Sequence, residues 1–186
     1  MLLTEKERKA LKIKGLYSRE ELILLEKINI EQAYIWLENK KLNINILLSE
    51  AFILQLHKKM YCMVWRDAGI FRKCGNEATS SQQCAVRLKN FCNESKNILN
   101  SRQFSEEESS LRFMHGLLSI RCFSNGNARH ACMMADLLML HHFKKNAFSW
   151  NGLHGHYNTK NETDFLQALK YANEGNFAAL LFFAQK

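Results

Sequence analysis

The feature that most restricts the fold of this chain is the complete absence of proline from its 186 residues. Proline is the strongest helix breaker, because it lacks a backbone N–H and its ring clashes with the preceding turn. The spacing of a helix N-terminal capping box, a hydroxyl residue followed three positions later by glutamate, occurs at Thr4 with Glu7, Ser18 with Glu21, and Ser105 with Glu108. We therefore predict an all-α chain.

Apolar residues recur at helical spacing after each of these starts and after two further serine caps. The predicted helices run from Thr4 to about Lys14, from Ser18 to about Lys40, onward from Ser49, from Ser80 or Ser81 to about Leu99, onward from Ser105, through Ala131 to about Lys145, from about Glu162 to Tyr171, and from Asn176 to Ala184. The predicted buried positions are Leu22, Leu25, Ile28 and Ile35 or Trp36, then Phe52, Leu56 and Met60, then Leu111, Met114, Leu117 and Leu118, and finally Ala131, Met134, Leu137, Leu138 and His141.

One stretch breaks the helical pattern. Residues Met63 to Thr79 lack it, and Trp65 to Arg72 indicates an irregular or hairpin segment. No internal repeat and no linker divides the chain. We predict a single domain over residues 1–186, with N-terminal helices in 1–60, the irregular region in 61–80, core helices in 81–145 and C-terminal helices in 146–186.

The net charge of +8 indicates a surface that attracts nucleotides, nucleic acid or an acidic partner. Charge alone does not select among them. No helix-turn-helix, zinc-finger or aromatic RNA-binding signature accompanies it. A basic nucleic-acid-binding module therefore remains an alternative, ranked below the interpretations that follow, and nucleic acid is not the expected partner.

The six cysteines are scattered, without the paired spacing of a zinc site or a disulfide framework. The histidine pairs His141-His142 and His154-x-His156 also lack a recognised ligand spacing. We expect no structural metal. The charged N-terminus and the absence of a long apolar run argue against a signal peptide and a membrane span, so we expect a cytoplasmic protein.

The stretch from Ile120 to His130 lies between two strongly apolar helical patterns. Its Asn-Gly-Asn run opens a helix, where backbone N–H groups lack intrahelical partners and the helix dipole favours an anion. Gly126 lets the chain approach a phosphate closely, and Arg129 supplies a guanidinium that binds phosphate oxygens. The alternative from the residues alone is an ordinary turn and helix cap.

These residues resemble the core motif of the Fic family, the Fic/Doc fold, which runs His-x-Phe-x-Asp/Glu-Gly-Asn-Gly-Arg-x-x-Arg between two helices. Phe123, Gly126, Asn127 and Arg129 match that motif in register. The likeness extends to a bacterial branch called mobile mystery protein B, through residues 124–138, through an upstream Val-Trp-Arg-x-Ala-Gly-x-Phe-Arg matched by 64–72, and through a downstream Phe-x-Trp matched by 148–150.

The resemblance implies a Fic-fold helical bundle with a small β-hairpin flap, and a protein that transfers AMP from ATP to a hydroxyl of a target protein. ATP is the candidate ligand and Mg²⁺ the candidate ion, with an unidentified target and a regulatory partner chain as partners. The nucleotide-binding positions it implies are Phe123, Asn125, Gly126, Asn127, Ala128 and Arg129, with Asn125 also the weak Mg²⁺ candidate. The target-binding flap would include Phe71, Arg72, Lys73 and Cys74.

The chain departs from that motif where the chemistry matters most. Arg121 occupies the position of the catalytic His, and a guanidinium cannot accept a proton at physiological pH. Ala128 replaces the second glycine, which costs about 1 kcal/mol if that position requires positive φ. Cys132 replaces the second Arg, and Asn125 stands where most relatives have a carboxylate, the better Mg²⁺ ligand.

We therefore expect a Fic-like protein with weak or no AMP transfer, which acts by binding nucleotide or protein. The alternative is an active transferase of AMP or another phosphate-containing group that uses an unconventional base. The nearby His115 and His130 are interpreted as packed or solvated histidines rather than as that base. No Ser or Thr is followed four residues later by Glu, so the inhibitory helix motif of some relatives is absent.

Overall fold

The computed structural model describes residues 2–72, 81–152 and 159–186. Among these residues the chain is almost entirely helical, which confirms the all-α prediction, and extended pairing is limited to the isolated bridges Leu2 with Ser18 and Leu11 with Trp65. The helices in chain order are α1 (Glu5–Ala10), α2 (Arg19–Glu38), α3 (Ile44–Leu47), α4 (Glu50–Tyr61), α5 (Ser81–Ser101), α6 (Glu106–Ile120), α7 (Asn127–Leu137), α8 (Thr159–Asn173) and α9 (Ala178–Gln185). Most of the predicted hairpin flap lies outside the described residues.

The serine and threonine caps begin the helices at the predicted places. Thr4 and Ser18 form complete capping boxes, and Ser49 accepts from the N–H of Phe52 at the start of α4. Ser105 forms half of the predicted box. Its hydroxyl accepts from the N–H of Glu108, but Glu108 Oε1 accepts from the side chain of Arg112 instead of returning to the cap.

Two helices end differently from the prediction, and for α1 a tertiary contact decides the end. Helix α1 ends at Ala10 rather than near Lys14, because Leu11 turns extended and the N–H of Lys12 donates to the carbonyl of Val64 at 2.8 Å. Helix α7 continues as a π-helical segment, Leu138–Phe143, and Lys144 ends it in the left-handed conformation at φ 58°. The short helix α3, capped by Asn43, was not predicted.

The core is built around the packed pair α6 and α7. Helix α5 packs on α6, α2 packs on α4, and α8 packs on α9. All of α7 from His130 to Leu137 is buried, as its apolar sequence predicted. Consequently the turn between α6 and α7 is held by packed helices on both sides. No helix in the described part of the chain is long and apolar enough to cross a membrane.

The buried-face predictions hold for α4 and largely for α6, but not for all of α2. Leu22 is buried, whereas Ile28 and Ile35 are 48% and 54% exposed. Helix α2 buries another strip, which includes Ile30, Ala33 and Leu37. The prediction of Ile28 as core was wrong, and of the alternatives Ile35 and Trp36 it is Trp36 that packs partly buried against the core. The reason is that α2 carries apolar residues on two faces, and periodicity cannot tell which one meets α4.

Asp136 ties the segment after α7 to the core. Both of its carboxylate oxygens accept from Trp150 Nε1, at 2.9 and 3.0 Å, and Oδ1 also accepts from the N–H of Phe148 at 3.1 Å. The Phe-x-Trp segment noted in the sequence is thereby pinned to α7. Burial raises the pKa of Asp136 from 3.8 to about 7, although these hydrogen bonds oppose the rise.

This raised pKa predicts a pH-dependent stability. In the folded protein Asp136 keeps its proton up to about pH 7, whereas in the unfolded chain it ionises near pH 4. Its contribution to the free energy of unfolding is therefore greatest at acid pH and is lost as pH rises towards 7, by at most about 1.4 kcal/mol per pH unit. Urea unfolding from pH 5 to 8 should show this fall relative to Asp136→Asn, and parallel profiles for the two proteins would contradict it.

Candidate functional site

The turn between α6 and α7 is defined by two residues with positive φ. Arg121 caps α6 at φ 53°, and its N–H donates to the carbonyl of Leu118 at 3.2 Å. Gly126 begins α7 at φ 72° and provides no side-chain cap. A left-handed arginine costs about 1 to 2 kcal/mol, so neighbouring contacts must hold this turn in place.

Asn127 closes the turn with both ends of its side-chain amide. Its Oδ1 accepts from the N–H of Phe123 at 3.0 Å, and its Nδ2 donates to the carbonyl of Phe123 at 2.7 Å. The amide is thus occupied within the loop. Any contribution of this side chain to ligand binding is made through the shape of the loop.

A buried histidine that sequence reasoning missed lies beneath the turn. The N–H of Gly69 donates to Nδ1 of His57, so Nε2 carries the ring proton and donates to the carbonyl of Asn125, both at 3.0 Å. The ring of Phe123 stacks on His57 with centroids 3.6 Å apart. Burial lowers the pKa of His57 to about 4, so the imidazole is neutral at physiological pH.

Tyr61 forms the rest of this floor. Its hydroxyl donates to the carbonyl of Gly126 at 3.4 Å, and a Cβ on Gly126 would lie 2.5 Å from the tyrosine ring. His57 and Tyr61 follow Ile53 at four-residue steps, beside the predicted strip of Phe52, Leu56 and Met60. A wider buried face on α4 was the signal that could have identified both residues.

Arg129, in the first turn of α7, is paired with α2. Its Nη1 lies 3.0 Å from Oε2 of Glu26, and Oε1 of Glu26 accepts from Trp65 Nε1 at 2.7 Å. The arginine and glutamate side chains are 14% and 9% exposed. Sequence reasoning identified Arg129 but not its partner, because Glu26 lies in a distant part of the chain and has no local signal.

A cleft of about 770 Å³ opens beside the turn. Its lining includes Arg121, Asn125, Gly126, Ala128 and Arg129 on one side and residues of α8 on the other. The charged residues that line the cleft are four cations and two carboxylates: Arg19, Arg121, Arg129 and Lys170, with Glu26 and Glu162. The structure therefore brings five of the predicted site residues to one electropositive cleft, while Phe123 and Asn127 support it from behind.

The structure shows the environment of two residues that depart from the motif, Ala128 and Cys132. Ala128 is helical rather than left-handed, so the backbone penalty considered for it does not arise. Cys132 is fully buried within α7, and burial raises the pKa of its thiol well above the ordinary value. The position of the second motif Arg therefore belongs to the core here and offers no group to a phosphate.

The remaining candidates are divided between the cleft and the core. His130 is buried, and its Nε2 donates to the carbonyl of Ile53 at 3.0 Å, as a packed histidine would. His115 lines the same cleft as Arg121, and its Nε2 lies 2.8 Å from Asn173 Oδ1.

The start of the predicted flap is attached to the turn. The N–H of Arg72 donates to the carbonyl of Cys122 at 2.9 Å, and Phe71 and Arg72 are half-buried. The other two flap positions, Lys73 and Cys74, lie outside the described residues, as do His154 and His156. In the part of the chain that is described, no three His, Cys, Asp or Glu side chains converge on a metal site.

Solved structures with this arrangement of helices carry a Fic domain. BepC from Bartonella tribocorum, with bound AMPPNP, matches at TM-score 0.65 and 15% identity over 94% of this chain and 89% of its own. The N-terminal Fic domain of a Bartonella quintana effector, with bound ADP, matches at 0.63 and 12% over 92% and 86%. This chain has the Fic fold. Residues 134–508 of Fic-1 from C. elegans match at 0.68 and 18% identity, with 93% of this chain covering 49% of that one.

Residues 121–126 form the turn between α6 and α7, and residues 127–132 form the first part of α7. Identities this low establish the fold and not the activity. No protein-family model matches the sequence, and no functionally curated protein matches it either.

The contact between Tyr61 and Gly126 predicts an unusually costly alanine substitution. Gly126→Ala should lose about 1 kcal/mol from positive φ and a further 1 to 3 kcal/mol from overpacking against the Tyr61 ring. Gly15→Ala is the matched control, because Gly15 also has positive φ but no atom within 4 Å of the point that a Cβ would occupy. Equal losses in the free energy of unfolding, measured by urea titration, would contradict the packing argument.

Proposed function

We propose that this protein binds a nucleoside polyphosphate, ATP or ADP, in the cleft at the start of α7, and that its AMP transfer is weak or absent. The observation that carries the proposal is the uncapped N-terminus of α7 opening into a cleft that Arg121 and Arg129 also line. First-turn N–H groups and guanidinium groups are the donors that phosphate oxygens prefer. The nucleotides bound in the two Bartonella structures agree with this choice of ligand.

The same residues explain why, in this proposal, the protein binds the nucleotide but transfers AMP weakly or not at all. AMP transfer requires a base to take the proton of the target hydroxyl, and Arg121 cannot accept one. A general base contributes about 10²- to 10⁴-fold to a rate, so its loss weakens transfer without removing a phosphate contact. The positive charge of Arg121 still favours a polyphosphate in the cleft.

Magnesium has a poor protein-held site here. Asn125 offers one neutral amide oxygen, and Glu26, one of the two carboxylates lining the cleft, is engaged by Arg129 and Trp65. Mg²⁺ usually binds through one or two carboxylates together with substrate phosphates. We therefore assign no step to a resident ion.

An active transferase remains the second candidate, and one observation favours it. His115 lines the cleft that contains Arg121, so an imidazole is available on the same surface. Its Nε2 donates to Asn173 Oδ1 at 2.8 Å, so Nδ1 is the ring nitrogen that would receive a proton from a target.

Calorimetry with ATP and ADP, with and without Mg²⁺, tests the binding proposal. We expect a dissociation constant below about 1 mM, and Arg129→Ala should weaken binding about 10-fold or more, because a charged hydrogen bond contributes about 1.5 to 3 kcal/mol. Glu26→Gln should tighten binding, since it keeps an acceptor for Trp65 but no longer competes for Arg129. Lys9→Ala, on the exposed surface of α1, is the control expected to have no effect.

An absence of binding at millimolar nucleotide would refute the proposal. Equal affinities for the wild type and Arg129→Ala would place the nucleotide elsewhere on the molecule.

The missing base predicts a gain of activity. Labelled ATP with a cell lysate should give little modification by the wild-type protein, and Arg121→His should raise self-labelling or target labelling by up to about 10²- to 10⁴-fold. Arg121→Gln controls for loss of the positive charge, because it supplies no base. A silent Arg121→His variant that still binds ATP would show that the base is not the limiting defect.

A further inference from the structure

Helix α2 presents a second apolar face to solvent. Leu24, Ile28 and Ile35 are 58%, 48% and 54% exposed, on the side opposite the strip that packs on α4. Isolated exposed aliphatic residues are normal on proteins, but these three lie on one line of one helix, with Glu31 between Ile28 and Ile35.

This line of residues has the spacing of a helix-pairing seam. We define the α2 seam as residues 21, 24, 28, 31, 35 and 38, which alternate in steps of three and four along about 26 Å of helix. That alternation is the one by which a second helix contacts the first along its whole length. All six positions would lie at the contact between the two helices, so the three aliphatic side chains would be buried there and the three carboxylates would require cationic partners.

Every charged residue of the α2 seam is a glutamate: Glu21, Glu31 and Glu38. All three are exposed, and within the described residues neither Glu31 nor Glu38 forms an ion pair. The seam is therefore acidic on a chain whose net charge is +8. Opposite charge across a helix pair decides which partner is accepted.

The charges argue against a second copy of this chain as the occupant. In a parallel pair each glutamate would face its own counterpart, and in an antiparallel pair over the same length Glu21 would face Glu38 at both ends. Like charges placed opposite each other across an interface are destabilising. A helix with Lys or Arg at the matching positions would instead neutralise the carboxylates.

We propose that the α2 seam is a docking surface for a basic amphipathic helix of a partner protein. The partner helix places aliphatic residues against Leu24, Ile28 and Ile35 and cations against Glu31 and Glu38. This surface lies on α2 but does not use Glu26, whose carboxylate faces the nucleotide cleft, so the inference is independent of the proposed function.

The probe is a synthetic helical peptide of about 21 residues, which at 1.5 Å per residue is long enough to span the α2 seam. It carries leucines at the positions that face Leu24, Ile28 and Ile35, and lysines at the positions that face the glutamates. We expect it to bind the full chain, with the largest methyl chemical-shift changes at Ile28 and Ile35. A sister peptide with glutamate in place of lysine should bind at least about tenfold more weakly. Glu31→Lys with Glu38→Lys should reverse that preference.

Ile28→Lys should abolish binding, and Val86→Lys is its matched control, because Val86 is 59% exposed on α5 and undergoes the same change of charge. Thermal unfolding of both variants checks that the fold is kept. Equal binding of the two peptides, equal effects of the two variants or no binding of the basic peptide at millimolar concentration would each overturn the proposal. A wild-type dimer in light scattering that Ile28→Lys dissociates would overturn it too, since the occupant would then be a second copy.

Discussion

The geometry of the site depends on one buried, neutral imidazole. His57 accepts from Gly69 and donates to Asn125, so a single ring joins α4, the irregular segment after it and the α6–α7 turn. Phe123 stacks on the same ring and His130 meets it edge-on. The arrangement requires one proton on Nε2 and none on Nδ1. Burial favours this neutral form, because a charged imidazole in this position would lose the water that stabilises its charge.

That fixed turn supports a cleft whose charges are suited to binding more than to proton transfer. Two guanidinium groups and an uncapped helix start give the cleft the donors required by the proposed phosphate ligand, while Glu26 holds one of those guanidinium groups within the protein. A phosphate that enters must compete with this carboxylate. The attraction for an anion is therefore tuned by an ion pair between α2 and α7, two helices that the motif alone would not connect.

Sequence reasoning predicted most of the helices because their signals are local. The hydroxyl caps at Thr4, Ser18 and Ser49 satisfy backbone groups within one turn, so their effect is independent of the rest of the fold. The motif turn was predicted for the same reason. The predictions failed where a distant segment changes the local structure, as at Leu11, which pairs with Trp65 instead of continuing α1. They also failed on α2, which has two apolar faces, of which only one packs on α4.

The sequence by itself determined the helical class, the starts of the helices that have hydroxyl caps, and the turn at Gly126 that leads into the helix of Arg129, because each follows from short-range hydrogen bonding and chain stiffness. It also determined that Arg121 cannot accept a proton, which is a property of the side chain alone. Only the tertiary structure decided that His57 and Tyr61 form the floor of the turn, that Glu26 pairs with Arg129, and that Cys132 is core. These contacts join residues far apart in the chain, and they form only when packing of the helices brings them within a few ångströms.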